Sequence, residues 1–215
     1  PTALPTALID EELRRLGPAA AENPALRTLR AEALLLDDRR DEAVGELEVI
    51  LLRFPMYGPV HALLGALLAQ SEDPAERERG LPHLQTAAYA KDVDPVEAGE
   101  CALLAAELLL SGMVGEDGVT QQLVEGSSND PQPLFQRAAD LLQDDARPVE
   151  GLTRYALLQG GVTRALQVVD GLLRSARART VRARLLQQRA ELSRLLAGDQ
   201  TEDVEIEDIE EDSAP

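Results

Sequence analysis

The amino-acid sequence predicts an all-α protein, built as a stack of antiparallel helical hairpins with a C-terminal capping helix and a disordered acidic tail. Three observations support this fold class. Apolar residues recur at helical spacing along most of the chain. The apolar fraction is almost entirely Leu, Ala and Val, a composition typical of helices. No alternating strand pattern flanked by turn residues is present.

The stretch Pro24–Pro55 shows the hairpin most clearly. Its apolar stripes are formed by Leu26, Leu29, Ala33, Leu34 and Leu36 in the first helix, and by Ala43, Leu47, Ile50 and Leu51 in the second. Asn23 is a good N-cap residue, and Pro55 ends the second helix because proline cannot continue one. Each apolar stripe has to be buried against a neighbouring helix.

The same pattern recurs 34 residues downstream and again after a further 37 residues. The small residues that mark the first helix of each copy are Ala31, Gly65 and Ala102. A last copy starts at Gly160-Gly161, and its Ala165 matches Ala43 of the first hairpin. The spacing therefore indicates repeated helical hairpins.

These residues make the chain similar to the tetratricopeptide repeat family. The small residues at helix contacts, Ala43 and Ala165 in the second helices, and the closing Pro55 match the family's pattern. The departures are Arg27, His61 and Ala98 at the tryptophan position, Leu34, Leu68 and Ala105 at the tyrosine position, and Asp92 at the second closing proline. The resemblance covers residues 24–92 well and 148–176 fairly, and it implies a right-handed superhelical α-solenoid. A non-repeating α-bundle is the alternative, since the same periodicities would produce it.

In chain order, residues 1–9 are predicted to be a flexible lead-in, residues 10–198 the helical-repeat domain and residues 199–215 the acidic tail. Outside the first hairpin, the predicted helices are Asp10–Leu16, Gly58–Gln70, Leu81–Lys91, Pro95–Leu110, Leu134–Leu142, Val149–Gln159, Thr163–Arg174 and Thr180–Leu196. The charged stretch 71–79 is predicted to be a turn. The stretch 112–133, with a weakly helical segment at 119–125, is either a functional insertion or a degenerate repeat.

The formal net charge is −18, and residues 201–212 carry eight acidic residues and no basic one. Such acidity argues against non-specific nucleic-acid binding. The tail is either a solubilising end or a short linear motif, whose apolar residues Val204, Ile206 and Ile209 could add as a strand to a partner. A third alternative is that it folds back on the arginines of the last helix.

No catalytic, cofactor or metal site is expected. His61 and His83 are the only histidines and lie far apart in sequence, and no phosphate-binding loop or nucleophile elbow occurs. The single Cys101 excludes an internal disulfide and is predicted to be an unreactive core residue. No signal peptide is visible, and apolar runs such as 60–69 are too short to span a bilayer. We therefore expect a cytoplasmic protein without membrane insertion.

The resemblance implies that the first helix of each hairpin lines a concave groove. The residues expected there are Thr28, Glu32, Leu35, Ala62, Ala66, Ala69, Gly99, Leu103 and Ala106. This lining is small and apolar, so the predicted function is a non-enzymatic adaptor that holds an apolar helix or segment of a partner protein, with the acidic tail as a second contact. Some of these positions could instead pack against a neighbouring helix of the chain.

Two other functions stay open at this point. The first is a self-assembling scaffold, a homo-oligomer that stacks through its end helices and depends on Leu185 and Leu192. The second is a regulator that mimics nucleic-acid charge through its acidic tail.

Overall fold

The computed structural model of the chain describes residues 5–113 and 129–207. Every regular element in these ranges is an α-helix, so the all-α class is confirmed, while the solenoid arrangement stays a prediction. The helices are α1 (Pro5–Leu16), α2 (Pro18–Ala21), α3 (Pro24–Leu36), α4 (Arg40–Arg53), α5 (Gly58–Ala69), α6 (Pro74–Tyr89), α7 (Pro95–Met113), α8 (Gln132–Leu141), α9 (Arg147–Ser175) and α10 (Arg179–Glu207). The chain divides into a first unit, Pro1–Leu108, and a second unit, Leu109–Pro215.

Neighbouring helices of the first unit pack in sequence, α3 against α4, α4 against α5 and α5 against α6. The core of α3, α4 and α5 consists of Ala31, Leu34, Ala43, Leu47, Ile50, Val60, Leu64 and Leu68. Asn23 caps α3 as predicted, since its Oδ1 accepts a hydrogen bond from the backbone N–H of Ala25 at 2.9 Å. The stripe predicted for the second helix is therefore largely buried, at Ala43, Leu47 and Ile50. In the stripe predicted for the first helix only Ala33 and Leu34 are buried, whereas Leu29 and Leu36 are exposed, at 48% and 77%.

Glycines allow α5 and α6 to approach closely. A Cβ at Gly65 would lie 2.9 Å from the backbone nitrogen of Leu84, and one at Gly80 would lie 3.0 Å from that of Ala69. The helix α6 begins at Pro74, seven residues before the predicted start at Leu81, so most of the stretch 71–79 is helical and not a turn. The Asp73-Pro74 pair explains this start, because the Asp73 side chain accepts from Ala75 N–H and proline suits the first helical position.

The helix α1 begins at Pro5, five residues before the predicted start, so residues 5–9 are helical and not a lead-in. Thr6 is buried, and its backbone N–H donates a hydrogen bond to Oδ2 of Asp37 at 3.1 Å. This tertiary contact has no signature in local sequence, which is why the start of the helix was misplaced.

Arg27 stands at the first position where the tetratricopeptide pattern has a tryptophan, and its side chain belongs to an ion-pair network. The guanidinium of Arg27 contacts Glu46 at 2.7 Å, and Glu46 also pairs with Arg30 at 3.4 Å. Arg30 in turn contacts Asp10 at 2.7 Å, which links α1, α3 and α4. Charged side chains therefore join these helices at a position that the family fills with an aromatic ring.

The second unit contains α8, α9 and α10. The helix α9 is interrupted at Gly160 and at Gly161, whose φ of 66° and ψ of −164° lie in a region open essentially to glycine alone. The break falls where the last hairpin was predicted to turn. Both parts of α9 share one core with α10, formed by Val149, Ala156, Ala165, Val169, Val181, Leu185 and Leu192.

The helix α10 continues to Glu207, eleven residues past its predicted end at Leu196. The backbone of residues 199–207, which the sequence assigned to the tail, is therefore part of α10. The rest of the tail, including Ile209, lies outside the described residues, as does the segment 119–125. Gln188 of α10 lies beside α9, where its Oε1 is 3.3 Å from the hydroxyl oxygen of Thr153. That hydroxyl donates its shorter hydrogen bond, of 2.9 Å, to the carbonyl of Val149.

Candidate protein-binding groove

The residues predicted to line a concave groove are mostly core residues. Those buried are Thr28, Ala62, Ala69, Gly99, Leu103 and Ala106. Leu35 and Ala66 are half-buried, and only Glu32 is exposed. Six of the nine positions are thus covered by the chain's own atoms and offer no open surface to a partner. The side chains of Leu185 and Leu192, proposed for self-assembly, are likewise buried, at 0% and 4% exposure.

An open groove is instead present in the second unit. Two depressions, of about 240 Å³ and 430 Å³, adjoin one another because both are lined by Gln136, Leu172 and Ser175. The larger depression lies within the range of about 300–1,000 Å³ that is typical of ligand pockets, and the smaller one lies just below it. Nothing in the tetratricopeptide resemblance pointed to this position.

One face of each of two helices forms the groove walls. The first wall consists of Gln132, Gln136, Ala139 and Asp140 of α8, together with Gln143 of the turn that follows it. The wall from the second part of α9 consists of Arg164, Gln167, Val168, Gly171, Leu172 and Ser175. Both sets follow the three-and-four residue spacing of a single helix face. The first part of α9 contributes the buried apolar residues Val149, Leu152 and Ala156 between them, and Val181 and Leu185 of α10 lie at one end.

The α9 wall extends from Arg164 to Ser175, a length of about 16 Å at 1.5 Å per helical residue. Near its middle is Gly171, where an added Cβ would meet no atom within 4 Å. The space above Gly171 is therefore open groove, and a side chain placed there would occupy it without displacing another residue of the chain.

The rim of the groove carries amide groups that are open to solvent. The side chains of Gln132, Gln136 and Gln167 are exposed, and none of them bonds to another group in the described part of the chain. Each primary amide offers both hydrogen-bond donors and an acceptor. An apolar floor with amides along its edges can bury apolar side chains of a ligand while pairing with its backbone.

Four exposed arginines lie at or next to the end of the groove near α10, where the lining also includes one carboxylate, that of Asp140. We call Arg174, Arg177, Arg179 and Arg182 the arginine turn; all four side chains are exposed, and Arg177 lines the smaller depression. Arg174 donates a hydrogen bond to the carbonyl of Asp170, and Arg182 donates one to that of Leu173, both at 3.2 Å. Both guanidiniums lie at the C-terminal end of α9, where positive charge is favourable to the helix dipole. Arg182 also supplies a donor to the carbonyl of Leu173 in the last turn, where carbonyl groups lack helical partners.

The two histidines, which are distant in sequence, are in contact in the first unit. Their Nδ1 atoms are 2.9 Å apart, and Nε2 of His61 is 2.9 Å from the carbonyl oxygen of Pro55. A carbonyl only accepts, so neutral His61 donates from Nε2 and its Nδ1 accepts from Nδ1–H of His83. Burial, then the neighbouring His61 and Arg79, lower the pKa of His83. Because the two histidines lie far apart in sequence, local sequence gave no sign of this contact.

No group of three or more His, Cys, Asp or Glu side chains suited to a metal ion occurs within residues 5–113 and 129–198.

Cys101 is buried, and this burial raises the pKa of its thiol to about 12, with a smaller contribution from the negative charges of Glu97 and Glu100. The thiolate, which is the reactive form, is therefore scarce at neutral pH.

Comparison of the chain with protein-family models, curated proteins and solved structures finds no match. In the part of the chain that the structure describes, no helix combines the length and apolar character needed to cross a bilayer.

Proposed function

We propose that this protein is a non-enzymatic protein-interaction module. Its binding site is the groove between α8 and the second part of α9, which holds a segment of a partner protein. The observation that supports this most directly is an open, apolar-floored groove whose rim amides have no partner within the described chain. The proposal keeps the adaptor function expected from the sequence and moves its binding surface to the second unit. It does not depend on the tetratricopeptide resemblance, which is strongest in the first unit.

An extended segment suits this groove better than a helix does. The backbone groups of a helix are already paired with each other, whereas an extended segment has free N–H and C=O groups that need partners. The amides of Gln132, Gln136 and Gln167 can supply those partners along the edge of the groove. Apolar side chains of the segment would then be buried above Leu152 and Leu172, at roughly 25 cal/mol for each Å² removed from water.

Substitution of Gly171 tests the proposal without disturbing the fold. Gly171→Leu places a side chain in the groove, at a position where the added Cβ meets no other atom. Gly45→Leu is the matched control, because Gly45 is also a helical glycine with no atom within 4 Å of an added Cβ, and it lies in α4 of the first unit.

The experiment is selection from a displayed library of random peptides, with the intact chain as target. Peptides enriched on the wild-type chain should also bind Gly45→Leu, and they should lose about tenfold or more in affinity for Gly171→Leu, roughly 1.4 kcal/mol. Equal binding to both variants would show that the ligand lies elsewhere and would refute the proposal.

A further inference from the structure

The arginine turn is unusual for a chain of net charge −18, because its four side chains lack carboxylate partners. None of the four forms an ion pair with another described residue. By contrast, eight of the nine arginines in residues 5–108 pair with a carboxylate, namely Arg14, Arg15, Arg27, Arg30, Arg39, Arg40, Arg53 and Arg79. Four neighbouring guanidiniums are therefore available to a ligand beside the groove.

Charge is segregated along the second unit. Residues 129–198 hold eleven arginines and seven acidic residues, a formal charge of +4. Residues 199–215 hold nine acidic residues and no basic one. The most basic part of the chain is thus followed directly by its most acidic part, and each is complementary to the other.

We propose that the arginine turn and the adjoining end of the groove bind residues 208–212 of a second copy of this chain. This inference rests on the proposed function, since it names one ligand of the same groove. The segment Asp208-Ile209-Glu210-Glu211-Asp212 has four carboxylates around one apolar residue. Its carboxylates pair with the four arginines, and Ile209 enters the depression of about 240 Å³ beside Arg177, where Leu172, Val181 and Leu185 lie.

The ligand comes from a second copy because α10 holds the segment away from the arginine turn of its own chain. The helix continues from Arg182 to Glu207, a distance of about 37 Å at 1.5 Å per residue. The five residues that follow reach at most about 18 Å, even when fully extended. Two copies can instead exchange their segments reciprocally, which gives a closed dimer with two identical contacts.

Such a contact should depend strongly on salt. Exposed ion pairs contribute little individually, about 0–1 kcal/mol each, so the contact needs several pairs and the buried isoleucine. At about 0.1 M salt the Debye length is near 10 Å, so the local attraction persists while repulsion between distant acidic surfaces is screened. At about 1 M salt the Debye length falls to about 3 Å and the attraction is lost.

The test is sedimentation velocity of the intact chain over a range of concentrations, with charge-reversal variants. Arg177→Glu with Arg179→Glu removes the site and spares the two arginines that stabilise the end of α9. Glu210→Lys with Glu211→Lys removes the ligand. Arg154→Glu with Arg194→Glu is the matched control, since it makes the same charge change at exposed arginines outside both depressions.

The wild-type chain and the control should dimerise, and each of the other two variants alone should associate about tenfold or more weakly. An equimolar mixture of those two should restore dimers, because both contacts then pair opposite charges. A monomeric wild-type chain, or a mixture that stays monomeric, would overturn the inference. A further variant carries all four substitutions in one chain. If that variant is a monodisperse monomer, the acidic segment docks within its own chain, and this result would also overturn the inference. Peptide selection that still depends on Gly171 would leave the proposed function standing in either case.

Discussion

Two glycines on α9 give opposite predictions for the same substitution, glycine to alanine. Gly151 packs against the buried ring of Phe135, and an added Cβ would lie 2.1, 2.5 and 2.6 Å from three of its carbons. Gly171 has no atom within 4 Å of an added Cβ. Both replacements gain the same intrinsic helix propensity, about 1 kcal/mol. Only the first introduces a steric overlap, so the difference between the two variants isolates the packing of α8 on α9.

The size of the expected change in the free energy of unfolding follows from these distances. Overpacking a well-filled core costs about 1–3 kcal/mol, and overlap with three atoms of a fully buried ring belongs at the upper end of that range. After the gain in propensity, Gly151→Ala should lower the free energy of unfolding by about 2 kcal/mol. Gly171→Ala should raise it by about 0.5–1 kcal/mol.

Urea unfolding followed by far-ultraviolet circular dichroism measures both effects. Adding Phe135→Leu to Gly151→Ala should recover part of the loss, since the smaller side chain removes the overlap, and a double-mutant cycle isolates that coupling. A Gly151→Ala variant as stable as the wild-type chain, or a cycle without coupling, would refute the packing derived for α8 and α9.

Three further predictions concern single positions. Gly161→Ala should lower the free energy of unfolding by about 1–3 kcal/mol despite the open space around it, because its backbone conformation is strained for any residue with a Cβ; unchanged urea unfolding would contradict this. The pKa of His83 is lower in the folded chain than in the unfolded one, so stability should fall as the pH drops below about 6.5. His83→Gln should flatten that pH dependence of the melting temperature, and an unchanged slope would exclude this origin. Cys101 should react with a thiol reagent at neutral pH only as fast as the chain opens, whereas immediate labelling would show that the thiol is accessible.

Helix content was predictable because nearly every helix has apolar residues at helical spacing. The first residue of each helix was harder to predict, because it depends on weaker signals. The starts at Pro5 and Pro74 were missed although proline favours the first helical position. At Pro74 the charged composition of residues 71–79 favoured a turn, but the cap supplied by Asp73 is the stronger signal and starts the helix there. At Pro5 the fixing contact is the hydrogen bond to Asp37, which lies thirty-one residues away and has no local signature.

The candidate site was harder to predict than the fold, for a physical reason. Periodicity shows that a helix has an apolar face, but it does not show whether a neighbouring helix or a ligand covers that face. Ala62 and Ala106 therefore looked the same in sequence whether they lined a groove or filled a core, and both are buried. The glutamines of α8 were also uninformative, because a polar stripe equally marks a helix face exposed to water.

A glycine inside a helix best distinguishes a closely packed position from an open groove, provided that its surroundings are known. A glycine inside a helix costs roughly 0.5–1 kcal/mol relative to alanine. At Gly65, Gly80 and Gly151 the close approach of a neighbouring helix or ring explains that cost. Gly45 and Gly171 have no such neighbour, and of these two only Gly171 lines a groove. If the groove is kept open for a ligand, then Gly171→Ala should stabilise the chain, whereas leucine at the same position should weaken binding about tenfold or more. Gly45 should tolerate both changes without loss of binding.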